Sequence, residues 1–102
     1  MLEFAHYGEE RELNATPEEL QIAEFVSGLF EGAELVRVSP SYITVKKGDW
    51  DVIRIKYSDR ARWVKIPIVD PGSTKRRLES VGDVEQFKDD ILKALEHIAK
   101  YS

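Results

Sequence analysis

Two acids, Asp49 and Asp51 in "GDWD", are the first candidates for metal chemistry in this chain. They fall on one side of a strand start. A metal-dependent nuclease would add an acid two residues before a lysine on the next strand, but the position before Lys56 is Arg54. The pattern breaks there. His6 and His97 stand far apart, and neither has a second histidine at the i, i+4 spacing of a ligand pair. Asp89 and Asp90 are adjacent and diverge on a helix. No Gly-rich phosphate loop occurs, and no serine sits in a nucleophile elbow; "KKGD" and "DPGS" read as simple turns. Without cysteine, disulfides and thiolate metal sites are excluded. The reading is a non-enzymatic protein with no cofactor and no metal.

What remains is a surface. The net charge of −4 is unevenly spread. Residues 1–41 carry nine acids against two bases, residues 42–65 seven bases against three acids, and residues 66–102 six bases against seven acids. The basic block coincides with "YITVKKGDWDVIRIKYSDRARWVK", where cations and rings alternate with Ile and Val. Tyr42, Lys46, Trp50, Arg54, Lys56, Trp63 and Lys65 fall in one phase, with Thr44 and Val52 among them, and Arg62 adds charge along the same stretch. These eight cationic and aromatic residues are the candidate binding set.

Rings stack on bases at about 1–3 kcal/mol each and cations neutralise phosphates, so single-stranded nucleic acid is one possible ligand. An acidic protein partner is the leading expectation, because a net charge of −4 repels long polyanions. The same residue types also suit a plain wet sheet face, whose long stems cover the strands and whose Trp63 and Arg54 pair locally. "KRR" at Lys75 to Arg77 would extend the patch if its loop lies beside the face.

The elements that position these residues are legible from periodicity. "ATPEELQIAEFVSGLFEGAE" predicts a helix with Thr16 as N-cap, Pro17 at the first position and Glu19 closing a capping box. Ile22, Phe25, Val26, Leu29 and Phe30 form its stripe, and Gly32 is the expected stop. Leu20 lies off the stripe. The period then changes to two. A first strand is expected over Leu35 to Lys46, bent at Pro40, a second over Trp50 to Tyr57, and a third over Arg62 to Ile68. "KRRLES" is a candidate short extra strand. A last helix is expected over "DVEQFKDDILKALEHIAKYS", capped by Asp83, with Val84, Phe87, Ile91, Ala94, Leu95 and Ile98 as its stripe and His97 solvated. "LEFAHY", within residues 1–13, reads as either a short edge strand or a loose arm.

The order predicts a single α+β domain over residues 1–102, two-layered, with a three- or four-stranded antiparallel meander and both helices on one face. Ile43, Val45, Ile53, Ile55, Tyr57, Val64, Ile66 and Ile68 should face the helices. Proline avoids central strands, so Pro40 and Pro67 mark the outer two and make "VIRIKY" the middle one. Those prolines and the charges at Arg60, Arg62 and Lys65 should block edge pairing, which predicts a monomer. No apolar run reaches the roughly 20 residues of a membrane span, and the N-terminus lacks the pattern of a secretory signal. A soluble cytoplasmic protein is expected.

From "SYITVKKGDWDVIRI" through the last helix, about 60 residues, the chain resembles a small bacterial accessory domain of unsettled role. That domain closes predicted transport and restriction-associated proteins. The shared elements are a Tyr-Ile strand ending in lysine, two further strands, an Asp-Pro turn and a Gly-Asp-led terminal helix. The Gly/Trp-rich stretch expected before that helix is absent; only "VGD" stands there. The resemblance implies an accessory domain, not an activity.

Overall fold

Thr16 and Glu19 start the first helix reciprocally, and the same two side chains fix it to the sheet. The structure, a computed structural model, describes residues 15–39 and 41–101. The expectations for residues 1–13, for His6 and for Pro40 lie outside these. In α1 (Pro17–Ser27) the Thr16 hydroxyl accepts the Glu19 N–H at 3.2 Å, and the Glu19 carboxylate accepts the Thr16 N–H at 2.8 Å. Two N–H groups left over by helix geometry are thereby satisfied. Ile22, Ala23 and Val26 are fully buried, and Leu20, although off the stripe, is half-buried against the same core.

The helix ends at Ser27, well short of Gly32. Gly28 is a poor helix former, and the Leu29 N–H bonds the Val26 carbonyl, a tightened last turn. Gly32, at φ +80°, instead turns the chain into the sheet.

The sheet has five antiparallel strands in chain order: β1 (Ala33–Ser39), β2 (Tyr42–Lys47), β3 (Trp50–Tyr57), β4 (Arg62–Lys65) and β5 (Arg76–Arg77). The expected single strand Leu35 to Lys46 is in fact a hairpin, since Ser39 pairs with Tyr42 and Leu35 with Val45. Either reading satisfies the alternation, but only a reversal brings Leu35 and Val45 side by side. β4 stops at Lys65, so Pro67 lies beyond the strand, and the outer strands are β1 and β5. β3 is central, as expected, and "KRRLES" does contribute a strand.

Ile43, Val45, Ile53, Ile55, Val64 and Ile66 are all fully buried. They share one core with Ile22, Ala23 and Val26 of α1 and with Ile91, Ala94 and Ile98 of α2 (Lys88–Tyr101). Burying one such branched side chain contributes about 1.5–3 kcal/mol. Tyr57 and Ile68 lie at the core's edge.

The last helix does not begin at Asp83. A 3-10 turn over Val81–Phe87 precedes α2. The Asp83 carboxylate reaches back to accept the N–H groups of Glu79 at 2.8 Å and Ser80 at 3.0 Å. Those two bonds hold its pKa below the ordinary value. The apolar spacing of the stripe continues through the tighter turn, which is why the sequence does not show the change of helix type.

Candidate functional site

A β-bulge decides which residues reach the outer face of the sheet. Val45 pairs with Ile53, but Lys46 pairs with Asp51, leaving Val52 as the extra residue of β3. Val52 and Ile53 are both fully buried within the core. Beyond the bulge the phase is reversed. Asp51 joins the outer face, where it lies 3.8 Å from Lys46 and 3.2 Å from Arg54. Trp50, expected outside, turns to the core side opposite Lys47 and meets the His97 ring edge-on at 5.7 Å. His97 also lies 4.6 Å from the Tyr101 ring, so this exposed histidine is part of an aromatic group. Trp50 and Val52 therefore leave the outer set, and Asp51 enters it.

Arg62 is a second correction. It pairs with Tyr57 and shares the core-side phase of Val64. Its guanidinium lies over the Tyr57 ring at 5.0 Å and donates to the carbonyls of Ser58 and Glu79, each at 3.3 Å. It sits at the rim of the sheet, off the outer face.

The rest of the set lies on the outer face, but unequally available. Thr44 is fully buried between Val36 and Arg54, its partners in register. Among the described residues, its hydroxyl and the Arg54 Nε have no hydrogen-bond partner. Lys65 is 9% exposed and donates to the Gly72 carbonyl. Lys46 and Arg54 are committed to Asp51. One end of the face remains accessible. Ile43 pairs with Ile55, Lys56 with Trp63 and Trp63 with Arg77, so Tyr42, Lys56, Trp63 and Arg77 form a row across four strands. The Tyr42 and Trp63 rings touch over Lys56 at 5.8 Å, edge to face. Arg54 lies over the Tyr42 ring at 5.4 Å and Lys75 over the Trp63 ring at 4.4 Å.

"KRR" thus does extend the patch, and the strand period explains how. Arg76 points to the core side opposite Val64. Its guanidinium bonds Asp70 at 2.8 Å and Asp90 at 2.6 Å, and lies 5.1 Å from the Phe87 ring. Asp70 also accepts the Ile66 N–H at 2.9 Å. Burial alone would raise the Asp70 carboxyl, but the Arg76 bonds, the Ile66 N–H and the charges of Arg76 and Lys65 together hold it below its ordinary value. The Asp70 hydrogen bond chiefly, with Asp90 assisting against burial, raises Arg76 further. The anchored middle arginine leaves its neighbours Lys75 and Arg77 for the outer side.

Among the described residues, Lys56, Lys75 and Arg77 make no ion pair. No three His, Asp or Glu side chains among the described residues gather into a metal-holding group, and no helix there is long and apolar enough to cross a membrane. Sequence reasoning offered Lys75 to Arg77 only as a conditional extension and left Lys75 and Arg77 out of the binding set, and it missed Asp51 as a neighbour on the outer face. Signals for both were present: the adjacent apolar pair Val52–Ile53, which breaks strict alternation, and the "KRR" run itself. No protein-family model, no curated protein and no solved structure matches the chain.

Proposed function

We propose that this protein is a non-enzymatic interaction domain that binds an acidic segment of another protein across the row Tyr42, Lys56, Trp63 and Arg77, with Lys75 at its end. The observation that supports this is the row itself. Three cations without a carboxylate partner among the described residues are interleaved with two rings, on a face whose remaining cations are internally committed. Aromatic residues and arginine dominate binding hot spots.

Carboxylates suit the row better than bases do. Arg54 and Lys75 each occupy one face of the Tyr42 and Trp63 rings, so a base stacking on that face would have to displace the cation, at a cost of about 0.5–1 kcal/mol per exposed cation–π contact. An acidic side chain can bind the cations with the rings in place. In this reading the chain acts as a monomer.

The test is a titration with a glutamate-rich peptide and with a single-stranded oligonucleotide, each at low and moderate salt. The peptide is expected to bind, with affinity lost on Lys56→Glu and on Trp63→Ala. Binding of the oligonucleotide alone, falling steeply with salt through counterion release, would replace the acidic segment by nucleic acid as the ligand.

A further inference from the structure

At the Trp63–Arg77 end of the row, bounded by residues 59–61 before β4 and residues 78–79 after β5, lies a groove of about 650 Å³. Its cations are Arg60, Arg62, Lys75 and Arg77, its acids are Asp59 and Glu79, and Trp63 forms part of its wall. We infer that this groove is a phosphomonoester site, with Arg62 as its fixed recognition residue. In the reading above, which this inference deepens, the phosphate is carried by a phosphorylated side chain within the acidic segment.

A guanidinium fixed by carboxylates is neutralised where it stands. Arg62 is fixed by neutral groups instead: the Ser58 and Glu79 carbonyls take its Nε and one Nη1 hydrogen, and the Tyr57 ring lies against its plane. It is oriented while keeping its full charge and its other terminal donors. Immobilising a long side chain in advance removes part of the entropy cost of binding. The Leu78 N–H bonds the Arg62 carbonyl at 2.9 Å, so the two walls of the groove are tied where Arg62 crosses.

The charge balance agrees. Four cations line the groove against two acids, and no ion pair joins any of them among the described residues. A tetrahedral dianion matches several N–H donors at once, as arginine-rich phosphate sites do. The size is that of a small-molecule site and exceeds a lone phosphate, leaving room for the group that carries it against Trp63.

The probe is phenyl phosphate, followed by amide chemical shifts and calorimetry on the full chain, with benzenesulfonate as a singly charged comparator. Saturable binding that moves the amides of Arg62, Trp63, Leu78 and Glu79 is expected. Arg62→Gln and the exposed-site variant Arg77→Gln should each weaken it roughly tenfold, the scale of losing one charged hydrogen bond. Benzenesulfonate should bind more weakly at pH 7.5. Phenyl phosphate should fall toward it by pH 5, because the second phosphate proton returns near pH 6; the charged groups that face it are Asp59, Glu79, Arg60, Arg62, Lys75 and Arg77.

A glutamate-rich peptide carrying one phosphoserine, compared with its unphosphorylated form, then identifies the carrier. Tighter binding of the phosphopeptide that Arg62→Gln abolishes supports a phosphorylated partner. Phenyl phosphate binding with no gain for the phosphopeptide supports a free small phosphomonoester in the groove. Absent or unsaturable phenyl phosphate binding, equal binding of benzenesulfonate, or indifference to both variants overturns the inference. If the unphosphorylated peptide still binds through Lys56 and Trp63 in that case, the reading of the face stands without the groove. If phenyl phosphate binds and neither peptide does, the groove stands without that reading.

Discussion

The Glu19 carboxylate accepts the backbone N–H of Tyr57 at 2.9 Å. Glu19 is 2% exposed, and the contact joins the first turn of α1 to the last residue of β3. Thr16 completes it by donating its hydroxyl to the Tyr57 carbonyl at 2.9 Å. Arg37 approaches the other Glu19 oxygen at 4.0 Å. A helix cap is therefore also the clamp between helix and sheet.

Glu19→Ala should lower the free energy of unfolding by about 2–4 kcal/mol, combining loss of a cap with a buried N–H left unpaired. Glu19→Gln keeps an acceptor oxygen and should lose less. Urea unfolding of both variants measures this, and an unchanged midpoint for Glu19→Ala would show that the clamp adds nothing.

Asp70 and Arg76 predict a pH dependence. The folded pKa of Asp70 lies below the ordinary 3.8, so the folded state favours the ionised carboxylate. That contribution is complete above the ordinary value and is lost as pH falls through the lower folded one. The stability gap between the native chain and Asp70→Asn should therefore narrow on going from neutral pH to below 3.8. Arg76→Ala, which leaves buried Asp70 without its partner, should cost on the order of 3 kcal/mol at neutral pH. Denaturant titrations across pH check both, and a gap that widens in acid contradicts the sign.

Val52 tests the bulge. On a regularly alternating strand it would face outward, and Val52→Lys would be almost neutral. Buried in the core, the same change forces an unpaired ammonium inside and should cost on the order of 4 kcal/mol. Thermal unfolding of Val52→Lys distinguishes the two cases.

The tryptophans should separate stability from binding. Trp50→Ala, on the core side, is expected to lower stability by about 1–3 kcal/mol and to leave the affinity for a glutamate-rich peptide unchanged. Trp63→Ala should reduce that affinity by about 1–3 kcal/mol. Equal effects of both on binding would place Trp50 back on the interface.

The sequence by itself determined the class of the fold, the α1 cap at Thr16 and Glu19, and the inward phase of Ile43, Val45, Ile53, Ile55, Val64 and Ile66. Caps act over three residues and strand alternation over two, so both are local and visible in one dimension. The tertiary structure decided the rest. A hairpin and a bent strand share the same alternation, so Leu35 to Lys46 became two strands only through cross-strand pairing. One extra residue at Val52 reversed the faces of the β3 residues before it, sending Trp50 inward and Asp51 outward. Arg62 and Arg76 took their partners from Glu79, Asp70 and Asp90, contacts made across loops whose closure no periodic pattern records. Register and long-range charge pairing depend on which segments meet, and that is settled only when the chain has folded.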